Sequence, residues 1–223
     1  MRRAPLVAGL VALVLASSAF AGRSAVEDWT RHPLGGRGIP SGWKAYATPR
    51  GRPAYDFVVV QDDGRRGLHV RSRDEHSTIA REIHVDLDAT PVLEWSWKMM
   101  ELPRGGDVRR RETSDLAAQV LVVWPRFPET LRSRLIAYAW GSTETPGAVE
   151  RSRKTGTVTF VIVRSGPEDL GRWVTERRNV LEDYRRVYGE RPESPRAIAI
   201  SVDTNDTRST AAGIIGPITF TPR

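Results

Sequence analysis

Apolar and polar side chains alternate with period two along much of the chain, most fully in Pro91-Val-Leu-Glu-Trp-Ser-Trp-Lys-Met-Met100. Side chains of a strand point alternately to its two faces, so Leu93, Trp95, Trp97 and Met99 share one face and Glu94, Ser96 and Lys98 the other. The pattern predicts a central strand with a core on one side and a polar surface on the other. Further strands are predicted over 55–60, 67–72, 79–86, 116–124, 134–140, 156–163, 197–202 and 214–221. The first two flank Asp62-Asp63-Gly64 and read as a hairpin. Residues 33–40 are rich in glycine and proline, which predicts a loosely wrapped arm pinned by Trp29 and Trp43. One segment changes period: Val180, Tyr184, Val187 and Tyr188 make a helical stripe, with Asn179 as N-cap, Glu182 as capping partner, Gly189 as C-cap and Pro192 beyond.

Nine strands, one helix and no βα alternation predict an all-β fold, an antiparallel β-sandwich of jelly-roll type with one short helix. The first residues stand apart. Arg2 and Arg3, an apolar run from Leu6 to Leu15 and the small-x-small site Ala19-Phe20-Ala21 form the pattern of a cleaved signal peptide. The expected organisation is a leader over 1–21 and a single sandwich domain over 22–223, exported to the periplasm or secreted. Removing the leader leaves roughly 200 residues, enough for a sizeable core. The chain has no cysteine, so that core must hold by packing alone. No later stretch is apolar and long enough to predict a membrane span, and a monomer is the expected state.

Lysine and arginine number 34 against 27 aspartates and glutamates, a net charge of +7. Only Lys44, Lys98 and Lys154 are lysines; arginine supplies the rest. A nucleic-acid partner is not expected, because the charge is not gathered on a recognition helix or known module. An acidic glycan or anionic envelope surface is compatible with it. His32, His69, His76 and His84 lack zinc-site spacing, there is no Gly-x-Ser-x-Gly elbow and no phosphate loop, and neither a metal nor a cofactor is expected. Asp203, Asn205 and Asp206 form a compact oxygen cluster that reads as an Asx turn rather than a calcium loop. Trp124, Trp140 and Trp173 lie near predicted strand ends and read as rim packing, with sugar stacking the alternative.

Several motifs occur in order: Leu93-Glu-Trp-Ser-Trp-Lys98, Leu102-Pro103, Ser114-Asp-Leu-Ala-Ala118, Tyr138-Ala-Trp140, Val163-Arg-Ser-Gly166, Trp173-Val-Thr-Glu-Arg-Arg-Asn-Val180, Asp183-Tyr-Arg185, Tyr188-Gly-Glu190 and Ile198-Ala-Ile-Ser-Val-Asp-Thr-Asn-Asp-Thr207. With these the chain, from about Trp43 to Phe220, resembles a bacterial exported family known as domain of unknown function 3047. It departs from that pattern at Ser114, where an aspartate pair is expected with Asp115, and at Asn205. The resemblance implies export and one continuous domain and assigns no chemistry. The late motifs also resemble the ending of galactose-binding-like sandwiches.

The expected site lies on the polar side of the sheet carrying Glu94, with Lys98, Gln119, Tyr138 and Arg164 as the ligand-binding residues and none assigned as catalytic. The leading function is an exported module that binds a glycan or cell-envelope component. The alternatives are an enzyme acting on polysaccharide, by a Tyr-based elimination or by a carboxylate pair such as Glu94 with Asp115, and a periplasmic structural or interaction protein. The leader makes one direct prediction: N-terminal sequencing of the exported protein begins at Gly22, and a sequence beginning at Met1 contradicts it.

Overall fold

The structure is a computed structural model that describes residues 22–46 and 53–223; the leader read over 1–21 lies outside the described residues. In chain order the strands are β1 (Ser24–Glu27), β2 (Lys44–Ala45), β3 (Asp56–Asp62), β4 (Arg65–Arg73), β5 (His76–Glu82), β6 (Val92–Glu101), β7 (Leu116–Trp124), β8 (Arg134–Gly141), β9 (Val149–Arg151), β10 (Val158–Ser165), β11 (Val174–Asn179), β12 (Ala197–Asp203) and β13 (Thr210–Thr221). Two helices join them, α1 (Glu129–Arg132) and α2 (Val180–Tyr188). The first sheet runs β11-β6-β13-β4-β3, with β1 also paired to β13, and the second runs β2-β5-β12-β7-β8-β10-β9.

The all-β sandwich expected from period-two patterning is present. Leu93, Trp95, Trp97 and Met99 of β6 are at most 1% exposed and meet Tyr138 and Trp140 of β8 across the interior. Trp95 stacks on Tyr138 at 5.3 Å and meets Trp97 edge-on at 5.3 Å, and Trp97 reaches Trp140 at 5.8 Å. These rings join the two sheets through large apolar areas in the offset and edge-to-face geometries that aromatic quadrupoles favour. Gly216 is required where β13 passes Trp173: a Cβ there would sit 2.2 Å from Ser96 Oγ. The Gly216 carbonyl accepts the Trp29 indole N–H at 2.9 Å. Trp29 in turn stacks on Trp43 at 5.7 Å, so both pins expected in the N-terminal arm are buried.

The second sheet is covered on both faces. All nine residues of β7 are buried, which is why Leu116–Trp124 reads as a nearly continuous apolar run. Leu121, Val123, Ala137, Ala139, Phe160 and Ile162 form a separate cluster on its outer face, closed by Val108 from the loop after β6. Glu144 holds that loop by accepting the Val108 N–H at 2.8 Å.

The fold departs from expectation at its margins. β1, β2, β9 and β11 were not predicted, β5 begins earlier and stops at Glu82, and α1 is an additional helical turn. β8 and β10 run parallel, so the second sheet is mixed rather than purely antiparallel. Parallel neighbours need a long connection, here the 142–157 excursion that contributes β9 before β10 enters between β9 and β8. β11 escaped notice because Thr175-Glu-Arg-Arg178 has no apolar alternation. It is an edge strand fixed by cross-strand pairs, with Arg177 opposite Glu94 and Glu176 opposite Trp95.

The two central indoles differ in one respect. Trp97 donates its N–H to Glu176 Oε1 at 3.3 Å, whereas the Trp95 N–H is buried with no acceptor among the described residues. Replacing each with phenylalanine is therefore expected to cost about 1 kcal/mol more at Trp97 than at Trp95, because only there is a hydrogen bond lost. Urea unfolding of the two variants measures the difference; equal losses, or a larger loss at Trp95, contradict the assignment.

Candidate functional site

The five residues expected to form one groove lie in four places. Glu94 and Lys98 are on the outer face of the first sheet, as parity requires, but their charges are satisfied there. Glu94 pairs with Arg177 at 2.5 Å, and Lys98 with Asp62 at 2.7 Å and Asp63 at 3.2 Å. Trp173 completes that cluster by donating to Asp62 Oδ2 at 2.7 Å. Gln119 belongs to β7 of the other sheet and lies opposite Ser201 on its outer face. Tyr138 is fully buried between the sheets and donates its hydroxyl to Asp183 at 2.9 Å. Arg164 closes the sandwich edge, bonded to Asp169 at 2.7 Å and to Glu176 at 2.5 Å, with its guanidinium 5.8 Å from the Trp140 ring. The proposed groove is corrected accordingly. Alternation along a strand orders its own two faces, but the second sheet's β7 and β8 set Gln119 and Tyr138 on opposite sides of one layer, away from Glu94.

Two other clusters emerge. The first lies on the outer face of the second sheet, where Asp203 ends β12. Asp115 accepts the Asp206 N–H at 3.1 Å and the Thr207 N–H at 2.7 Å, so the 203–207 segment is a turn held by a buried carboxylate. Asn205 N–H reaches Asp203 Oδ1 at 3.4 Å, in keeping with the Asx-turn reading. Lys154 lies 3.4 Å from Asp203 and also contacts Asp206, and His76 Nδ1 is 3.7 Å from Asp203. The other imidazole nitrogen meets Thr78 Oγ1 at 2.8 Å and Ser201 Oγ at 3.1 Å. Burial pushes the Asp203 carboxyl up to about 7 against the opposing pull of Lys154. Burial, aided by Lys154, lowers His76 to about 4.

The second cluster is a cavity of about 440 Å³ at the end of the sandwich beneath α2. Leu131, Val149, Val187 and Tyr188 give it apolar and aromatic walls, and Arg132, Arg134 and Arg151 are among its lining residues. Asn179 caps α2 by accepting the Glu182 N–H at 3.1 Å, and Gly189 ends it in the left-handed conformation. That fixes Val187 and Tyr188 over the β8–β10–β9 edge, where Tyr188 donates to the Leu135 carbonyl at 3.2 Å. Arg134 lies 4.6 Å above the Tyr188 ring and bonds to the Tyr184 hydroxyl at 2.7 Å and to Glu190 at 2.5 Å. Leu131 is 77% exposed and forms the lip. Sequence reasoning found Tyr188 as part of a helix stripe and missed the arginines. Arg132, Arg134 and Arg151 become neighbours only because α1 leads into β8 and β10 pairs with both β8 and β9. A smaller cavity of about 340 Å³ surrounds Glu27, which is taken up by the Trp43 indole at 3.0 Å, His32 at 3.2 Å and Arg81.

The polar cluster generates a pH prediction. A carboxyl raised on folding costs stability once the unfolded chain ionises, so the Asp203 contribution falls from about pH 4 to about 7. An imidazole lowered on folding costs stability as pH falls, so the His76 contribution is lost from about pH 6.5 down to about 4. The two oppose each other. Relative to wild type, Asp203→Asn is expected to gain stability as pH rises from 4 to 7, and His76→Gln to gain it as pH falls from 6.5 to 4. Urea midpoints across that range read both; parallel profiles for all three proteins contradict the two shifts.

Comparison with known proteins gives the following. No curated protein matches the sequence. Among solved structures, the family 11 carbohydrate-binding module of the cellulosomal cellulase Lic26A-Cel5E of Clostridium thermocellum is similar at 8% identity and a TM-score of 0.48, over 91% of this chain and 95% of that one. The CBM22-1 xylan-binding domain from Paenibacillus barcinonensis Xyn10C is similar at 14% identity and a TM-score of 0.39, over 92% and 97%. The xyloglucanase domain of NopAA, a type three effector from Sinorhizobium fredii, is similar at 9% identity and a TM-score of 0.38, over 92% and 96%. One family model, described as Protein of unknown function (DUF3047), matches residues 41–219, most of the chain, and the protein belongs to that family.

Proposed function

We propose that the protein is an exported glycan-binding module and that the cavity beneath α2 receives the sugar. The observation that carries this reading is the cavity itself. Its size lies in the range of small-ligand sites, and it combines apolar walls with hydrogen-bond donors. A sugar ring presents the same two properties, an apolar C–H face and a hydroxyl rim. The signal-peptide pattern over 1–21 supports export, where such a ligand would be met. The basic net charge is compatible with an envelope component as target.

One observation favours the enzyme reading. A carboxyl titrating at about 7, such as Asp203, has the property needed of a general acid on polysaccharide. Its neighbours Thr78, Ser201 and Gln119 are nonetheless at most 5% exposed, which leaves a polymer little room beside it. Binding is therefore preferred over turnover.

The test is a glycan-array screen of the mature protein, followed by affinity measurement and an assay for new reducing ends and unsaturated uronides. Gly156 lines the cavity, and a Cβ there meets only Arg151 Nη2, at 3.8 Å, so a side chain can be introduced to fill the space. Gly156→Phe is expected to keep the wild-type melting profile and weaken binding at least about tenfold, with no product released. Unchanged affinity in a folded Gly156→Phe protein, or product formation abolished by Asp203→Asn, contradicts the proposal.

A further inference from the structure

We infer that the cavity beneath α2 selects an anionic sugar, whose acid group is held by Arg132 and Arg151. The inference rests on the binding reading above and adds the charge of the ligand.

It follows from which charged groups line the cavity. Among the described residues some arginines are matched to carboxylates, such as Arg81 to Glu27, Arg164 to Asp169 and Glu176, Arg177 to Glu94, Arg178 to Asp183 and Arg191 to Asp88, and others are not. The cavity gathers three arginines in one place. Arg134 shares Glu190 with Arg126. Arg132 and Arg151 have no carboxylate within ion-pair distance among the described residues. Segments 1–21 and 47–52 contain no aspartate or glutamate to supply one. The contacts these two guanidiniums do make are to main-chain carbonyls, Arg132 to Phe127 at 3.4 Å and Arg151 to Gly156 at 3.1 Å. Those bonds orient the side chains without cancelling their charge.

No acidic residue lines the cavity, so three arginines border one concave space, with Glu190 the carboxylate that Arg134 shares. Like charges gathered over low-dielectric walls focus a positive potential, and an anion relieves it. Guanidinium forks match the planar or tetrahedral oxygens of a carboxylate, sulfate or phosphate with paired N–H donors. A simple inorganic anion would leave Leu131, Val149, Val187 and the Tyr188 ring without a partner. An acid group carried on a sugar ring uses both the charged and the apolar walls.

The test compares three pairs of oligosaccharides that share a skeleton and differ in charge: hexagalacturonate and its carboxyl-reduced form, a sulfated oligosaccharide and its desulfated form, and a mannose 6-phosphate oligosaccharide and its dephosphorylated form. Calorimetric titration of the mature protein is expected to show at least a tenfold preference for the charged member in one pair or more. That preference should shrink as sodium chloride rises from 50 to 500 mM. In Arg132→Gln/Arg151→Gln it should fall to within about twofold. The pair that responds identifies the acid group. Equal binding within every pair, still abolished by Gly156→Phe, overturns the charge inference and leaves the glycan reading standing. A preference that survives the double substitution also overturns it. Binding of no member, charged or neutral, counts against both.

Discussion

The buried carboxylate of Asp183 is the constraint on which the end of the molecule around α2 depends. It lies in the first turn of α2, 6% exposed, and accepts hydrogen bonds from Tyr138 at 2.9 Å and from both Nε and Nη2 of Arg178. A carboxylate buried without partners would cost several kcal/mol, so these donors are a condition of the packing rather than an addition to it. They tie three layers together. Arg178 belongs to the edge strand of the first sheet, Tyr138 to the second sheet, and Asp183 to the helix that bridges them. Burial, followed by the Asp183 charge, drives the Tyr138 phenol well above its usual range, which favours the protonated, donating form.

From that clamp the rest of the end follows. Tyr138 stacks on Trp95, so the helix is referenced to the centre of the core. The residue after Asp183, Tyr184, packs on Trp124 at 4.7 Å and receives hydrogen bonds from Arg126 and Arg134. The last turn sets Val187 and Tyr188 over the edge of the second sheet and so shapes the cavity. The site thus sits on rigid elements, a helix and three strands, with only α1 and the 152–157 turn as irregular walls. Pre-formed walls lower the ordering cost of binding.

The sequence was legible where one periodicity dominated. β6 showed its core and polar faces at once because Leu93, Trp95, Trp97 and Met99 alternate with three polar residues, and α2 showed its stripe and both caps. β7 was legible as a strand, though its two-sided burial was visible only as the lack of alternation. β11 and β9 were not legible, because edge strands of polar residues are specified by their partners. Glu94 and Lys98 were placed on the correct face. Tyr138 was misplaced because the polar group of a tyrosine invites a surface reading, and the acceptor that buries it, Asp183, is 45 residues away. The arginines of the cavity had no local signature. Their common feature, a place on one cavity with no acidic lining residue, exists only once α1, β8 and β9 are folded together.

The proposed ligand site lies beneath α2 and not on the broad faces of either sheet. Amide chemical-shift mapping of the protein over residues 22–223 with a bound oligosaccharide tests it most directly. The account predicts perturbations confined to residues 131–134, 149–159 and 184–190. Perturbations centred on Glu94, Lys98 and Arg177, or on His76, Ser201 and Asp203, would contradict it.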